Sequence, residues 1–322
     1  MKPALPLFLA SIFVAGFVHT QASYAQAYPA KPIRLIVGIA PGGGLDASTR
    51  IVAGALTKLI NQQVLVENRA GAGGTIAAGA VAAAAADGYT LLYGSTSLMI
   101  APGIYENLTF DPVKSFTPVA GTVTDPLVIA VNPNLAARST AELIALAKAS
   151  PGKLSYGSPG VGSVHHLAME SFKMAADLQI VHVPYKGAAG YVPDLIAGIL
   201  PIAVVSVAAS LPQAKAGKLR VIAITSPGKL HVAPDWASLA ETLPGFDMPS
   251  VQFIVAPIGT SASIVGRLSE AVKKALALDD TRRAFDAVGG VPEYVPPEVL
   301  AVRIRDGVPR WAIIAKQSGA KP

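Results

Sequence analysis

Two glycine-rich segments carry the residues best placed for chemistry. Pro41-Gly42-Gly43-Gly44-Leu45-Asp46 follows the apolar run Ile33-Arg34-Leu35-Ile36-Val37 and leads into a helical pattern that ends near Leu59. Gly157-Ser158-Pro159-Gly160-Val161-Gly162-Ser163 follows Leu154-Ser155-Tyr156 and leads into a second helical pattern, 165–176. A glycine loop that opens a helix aims free backbone N–H groups at one point, and the helix dipole makes that point favourable for an anion. Two such points, far apart in sequence, describe a site that grips carboxylates. The hydroxyls of Ser158 and Ser163 supplement the second set of amides, and Ser95-Thr96 adds hydroxyls at the carboxyl end of a strand, where open α/β sheets hold ligands.

Other chemistries lack their residues. The GxxxxG spacing from Gly157 is followed by serine without the lysine that a phosphate loop needs, and 41–46 is not a dinucleotide fingerprint. No G-x-S-x-G marks a serine hydrolase, and no carboxylate pair suggests glycoside chemistry. His165 and His166 are adjacent, so on a helix they point about 100° apart and cannot chelate one ion together. His182 lies in a strand-like segment, and no HExxH or carboxylate cluster completes a metal site. A structural or cleft-lining part fits these histidines better. Asp46 is more plausible as a helix cap than as a ligand contact, and Lys186 as a surface lysine. The absence of arginine from both loops suits one or two carboxylates better than a multiply charged acid.

The elements that position these loops read as alternating strands and helices. Short β-branched runs at 33–39, 90–93, 127–131, 202–207 and 251–255 alternate with Ala-rich helical stretches such as 46–59, 163–176 and 188–197. Continuous rather than alternating apolarity predicts parallel sheets covered on both faces. Pro193 should delay or bend the helix around it. Ser139-Thr140-Ala141-Glu142 has capping-box spacing, and Asp46 and Ser163 suit a helix start. Pro-containing segments at 124–126 and 248–250 read as two crossings between domains. One lobe then takes 28–125 and 255–322, the other takes 126–254, and a cleft lies between them.

Residues 1–27 read as a signal peptide: Lys2, an apolar run 5–18, then Ala22-Ser23-Tyr24-Ala25-Gln26-Ala27. With no cysteine, disulfides and thiolate chemistry are excluded. The net charge of +6 becomes +5 once Lys2 is lost with the leader. The basic residues are scattered, so nucleic acid is not a predicted partner, while a mild positive field helps to collect small anions.

Several further motifs occur in order: 28–37 (YPAKPIRLIV), Val66-Glu67-Asn68-Arg69, Asp87-Gly88-Tyr89-Thr90, Pro151-Gly152-Lys153-Leu154 and His182-Val183-Pro184-Tyr185-Lys186-Gly187. With the two glycine loops, this series resembles the Bug family, the extracytoplasmic receptors of tripartite tricarboxylate transporters. The resemblance covers essentially the whole mature chain. It implies a type II periplasmic binding protein, a Venus flytrap of two α/β lobes. It also implies capture of a small organic anion (a dicarboxylate, amino acid or aromatic acid) and delivery to membrane permease subunits. The implied contacts are Ala40, Gly42, Gly43 and Asp46 in the first loop, with Ser95 and Thr96. In the second lobe they are Ser158, Gly162, Ser163 and His166, with Asp194 beyond. A monomer without cofactor or metal is expected. An exported enzyme acting on organic acids, or a sensor for a membrane partner, is the alternative.

Overall fold

A computed structural model describes residues 28–185, 187–248 and 250–321. The expected signal peptide and Lys186 lie outside the described residues. The chain starts with β1 (Ile33–Val37), α1 (Gly44–Ile60), β2 (Val64–Asn68), α2 (Thr75–Ala82), β3 (Thr90–Ser95), α3 (Thr96–Ile104) and β4 (Phe116–Asp125). After Pro126 a second unit follows, with β5 (Leu127–Val131), α4 (Thr140–Ala149), β6 (Ser155–Ser158) and α5 (Val164–Ala176). It continues through β7 (Val181–Pro184), α6 (Ala188–Ala197), β8 (Ile202–Ser206), α7 (Val207–Lys215) and β9 (Arg220–Ile224). The last elements are β10 (Ser250–Pro257), α8 (Ala262–Ala277), α9 (Asp279–Val288), β11 (Val291–Val295) and α10 (Pro297–Gln317).

These elements build two sheets, one per lobe. The first has strand order β11-β4-β10-β3-β1-β2 and the second β7-β6-β8-β5-β9. Strand β10 belongs whole to the first sheet, so the chain has returned to that lobe by Ser250, ahead of the boundary expected at 254/255. Each sheet has a parallel part that carries a glycine loop: β1 with β2 and β3, and β6 with β7 and β8. The expectation of purely parallel sheets is corrected. Strand β10 runs antiparallel to β3 and β4, and β5 runs antiparallel to β8 and β9. A continuous apolar run records burial on both faces, as in β5 with every residue buried, but not the direction of the neighbours.

Two helices begin where their strands end, without a loop. Helices α3 and α7 are capped by Ser95 and Ser206, the last residues of β3 and β8, and each carries an internal proline, Pro102 and Pro212. A late start at Pro193 is corrected, because α6 runs from Ala188 through Pro193. The carbonyl that proline cannot bond belongs to Ala189, which is exposed and open to water.

One apolar cluster joins the lobes. It includes Met99, Ile104 and Trp311 from α3 and α10, Leu167 and Phe172 from α5, and Ile129 and Ile202 from the second sheet. At about 25 cal/mol per Å² of apolar surface, this packing holds the lobes against each other on one side. The carboxyl ends of β1 and β6 carry the glycine loops, and those of β3 and β8 open directly into α3 and α7.

Candidate functional site

In the first lobe the helix start is set by Asp46. Gly43 is the N-cap of α1, and Asp46, at the third helical position, accepts the Gly42 N–H at 3.0 Å. The same carboxylate accepts Arg50 Nε at 3.0 Å and Asn68 Nδ2 at 2.8 Å and is only 4% exposed. Burial pushes its pKa upward, but the bonds from Arg50, Asn68 and Gly42 outweigh that and hold it below the ordinary aspartate value. Asp46 is thus fully engaged as a negatively charged latch. Ala40 is an exposed loop residue.

The second lobe repeats the arrangement with a different acceptor. Ser163 caps α5: its Oγ accepts the His166 N–H at 3.2 Å and donates to the Gly160 carbonyl at 2.7 Å. His166, again at the third helical position, accepts the Gly162 N–H on Nδ1 at 3.2 Å. Gly162 has φ +75°, and a Cβ there would lie 3.1 Å from Ile104 of α3, so loop conformation and lobe contact both call for glycine. Ser158 is fully buried, with Oγ 2.7 Å from His182 Nε2 and 3.2 Å from both the N and O of Gly160.

Most of the expected contacts are therefore engaged within the protein. The amides of Gly42 and Gly162, the hydroxyls of Ser158 and Ser163, and the Asp46 carboxylate all hold the loops in shape. The hydroxyl of Thr96, a residue with no exposure, accepts the Val251 N–H at 2.9 Å, and Ser95 Oγ accepts the Ser97 N–H at 3.3 Å. Asp194 accepts the Tyr185 hydroxyl at 2.7 Å, and the Tyr185 N–H donates to the Ser158 carbonyl at 3.0 Å, so Asp194 joins the second loop through Tyr185. The first-turn amides of Gly44 and Leu45 in α1, and of Val164 and His165 in α5, have no hydrogen-bond partner among the described residues. These four donors, at the carboxyl ends of parallel strands, are open to an anion, as are the N–H groups of Gly43 and Asp46, which also have no partner among the described residues.

Sequence reasoning missed Ser206, which caps α7 with its Oγ on the Ala209 N–H at 3.4 Å. A Cβ added to Gly44 would stand 3.8 Å from Ser206 Oγ, so the start of α1 faces the other lobe at the start of α7. A small recess of about 70 Å³ opens beside Leu45 and Ser95 and is walled by Ile39, Gly74, Leu98 and Phe110. It is a side chamber of the first lobe. Among the described residues no group of three or more potential ligands gathers for a metal, and no helix is long and apolar enough to cross a membrane.

Sequence reasoning also missed the support beneath the second loop. The His166 ring stacks on His182 with centroids 4.0 Å apart, and His182 stacks on Tyr156 at 4.8 Å. The Tyr156 hydroxyl donates to Glu170 Oε1 at 2.6 Å, and Lys173 Nζ reaches both Glu170 oxygens at 2.7 and 2.8 Å. Burial first, then the Lys173 charge, pushes His166 down to about 4. His182 is pushed down to about 4 by burial, then by the charges of His166 and Lys173, against the opposing pull of Glu170. The helical spacing of His166, Glu170 and Lys173 was the available signal; the approach of His182 from β7 was not readable.

Two α/β lobes joined by crossing strands, with helix starts facing each other across a crevice, define a type II periplasmic binding protein, the class of receptor that holds a solute between its lobes. The model of the tripartite tricarboxylate transporter family receptor matches residues 48–319. The protein BugT of Bordetella pertussis is 35% identical over 313 residues, covering 96% of each chain. Among solved structures, one described as a periplasmic transporter is 37% identical with a TM-score of 0.84, covering 92% of this chain and 99% of its own. R. palustris Rpa4515 with adipate is 31% identical with a TM-score of 0.84, covering 92% of this chain and all of its own. The chain belongs to the tripartite tricarboxylate transporter receptors, the Bug family, and is a solute-binding protein of that kind.

Proposed function

We propose that the protein captures one small organic carboxylate (a dicarboxylate, amino acid or aromatic acid) between its lobes and presents it to the permease subunits of a tripartite tricarboxylate transporter. The observation that carries this reading is the pair of unpartnered first turns, Gly44-Leu45 and Val164-His165, one in each lobe. Their amides and helix dipoles supply an anion site without a cationic side chain, and a charge-assisted hydrogen bond contributes about 1.5–3 kcal/mol. The adipate held by the related R. palustris protein supports the ligand class. Closure of the lobes removes water from the crevice and strengthens each contact. In this reading the mature protein is exported to the periplasm after loss of residues 1–27, works as a monomer, and releases its ligand chemically unchanged.

The test is thermal unfolding of the mature protein against adipate, malate, glutamate and benzoate. A ligand at about 100 times its Kd adds about 2.7 kcal/mol of stability. One acid that raises Tm and is recovered intact supports the reading. No shift from any carboxylate, or conversion of the acid, contradicts it. X-ray scattering with and without the stabilising acid should show contraction on binding; identical profiles count against closure.

A further inference from the structure

The two glycine loops are latched by side chains of opposite titration behaviour, and the second latch is a histidine whose bonding fixes its protonation. Nδ1 of His166 receives the Gly162 N–H, so the ring proton sits on Nε2, which points toward Glu170 Oε1 3.9 Å away. A proton on Nδ1 would set two donors against each other at 3.2 Å and break the latch. We propose that His166 is a positioning residue for the ligand: its bare Nδ1 holds Gly162 and thereby sets the first turn of α5, and protonation of the stacked His166–His182 pair releases that turn. This rests on the reading of the α5 first turn as half of the carboxylate site.

The surroundings favour the neutral ring. Tyr156 from β6 and His182 from β7 stack against it, and Glu170 and Lys173 share its helix. Glu170 already holds Lys173 and the Tyr156 hydroxyl, so its charge is engaged elsewhere. Helices α3 and α10 also pack on α5 and bring no charged partner to His166 among the described residues. Two imidazolium rings 4.0 Å apart would repel each other, with the Lys173 ammonium adding to the repulsion. His182 extends the effect, because its Nε2 meets the Ser158 hydroxyl at the base of the same loop.

The test uses the full mature chain. In an NMR titration without ligand, the His166 ring should carry its proton on Nε2 and titrate near pH 4, well below the ordinary value of about 6.5, with the Gly162 amide shifting in the same step. His166→Asn places an amide oxygen where Nδ1 stood, so the Gly162 amide should keep its shift and lose the step. A His166 that titrates near 6.5, or a Gly162 amide that ignores it, overturns the proposal. Calorimetry with adipate supplies the functional arm. At about pH 7.5, His166→Ala should bind about tenfold more weakly and His166→Asn within about threefold of the native protein, the loss of one fixed donor set. Between about pH 5.5 and 3.5 the native protein should lose more affinity than His166→Asn, the ligand's own protonation being common to both. Equal affinity of all three proteins at both pH values overturns the proposal. Absence of adipate binding by the native protein at about pH 7.5 counts against the carboxylate reading instead, and the NMR titration still decides the latch.

Discussion

The first turns of α1 and α5 are organised alike and are held by different chemistry. In both, the glycine just before the N-cap donates its N–H to the side chain at the third helical position, Gly42 to Asp46 and Gly162 to His166. In both, that side chain has an ionic neighbour one turn on, Arg50 in α1 and Glu170 in α5. Asp46 is a carboxylate kept charged by three donors, and it fixes its loop across the whole range in which proteins work. His166 is an imidazole kept neutral by burial and stacking, and it fixes its loop only while it stays neutral. Glycine loops at helix starts are thus shaped by the helix behind them. The amides of Gly42 and Gly162 are used in that shaping, and those two and three residues later are left without a partner among the described residues.

The contrast is broken most severely at Asp46. Asp46→Ala removes the acceptor of three bonds and is expected to cost about 3 kcal/mol. Denaturant unfolding measures it, and a loss below about 1 kcal/mol would show that Arg50 and Asn68 do not depend on the carboxylate. The next effect is the dependence of stability on pH. His166 and His182 sit at about 4 in the folded chain and near 6.5 when unfolded. Between those values the unfolded chain binds protons that the folded chain does not, so their contribution is complete above about pH 6.5 and is lost as pH falls toward about 4. Asp46, held below its ordinary 3.8, loses its contribution only at lower pH. His165, pushed down to about 4 by burial, shares this window, so His166→Asn should remove about a third of the slope there; an unchanged slope would assign it to other groups.

Smaller effects sharpen the picture. Ser163→Ala deletes the α5 cap and is expected to cost about 1 kcal/mol in denaturant unfolding, with ligand affinity changed less than by His166→Ala. A larger loss of affinity than of stability would place the Ser163 hydroxyl on the ligand. The smallest change concerns Ser171, whose buried hydroxyl has no hydrogen-bond partner among the described residues. Ser171→Ala should leave stability unchanged or raise it by up to about 1 kcal/mol, and a drop in Tm would mean that the hydroxyl is satisfied in solution.

The strand, glycine loop and helix of each lobe were legible because β-branched runs, φ-permissive glycines and amphipathic spacing coincide there. The helices α3 and α7 were not, because each begins on the last residue of a strand and carries a proline where a periodic pattern would otherwise show. Strand direction was hidden for a different reason: complete burial of β5 makes it read as a parallel strand although both its neighbours are antiparallel. For the site, the loops follow strand ends as expected, and most of the atoms named in them are engaged in structural bonds. Gly42 and Gly162 read as amide donors, but only the fold shows that Asp46 and His166 already hold them. Ser158 and Thr96 read as ligand hydroxyls, and both are fully buried in structural bonds. His182 reaches His166 from a strand 16 residues away in sequence, and no local pattern announces that approach.

The most direct test is an amide NMR spectrum of the mature protein with and without the acid that gives the largest thermal shift. The amides of Gly44, Leu45, Val164 and His165 should all move downfield on saturation, in both lobes together. Shifts confined to one lobe, or centred on Gly42 and Gly162 with those four unmoved, would contradict capture of the carboxylate between two facing helix starts.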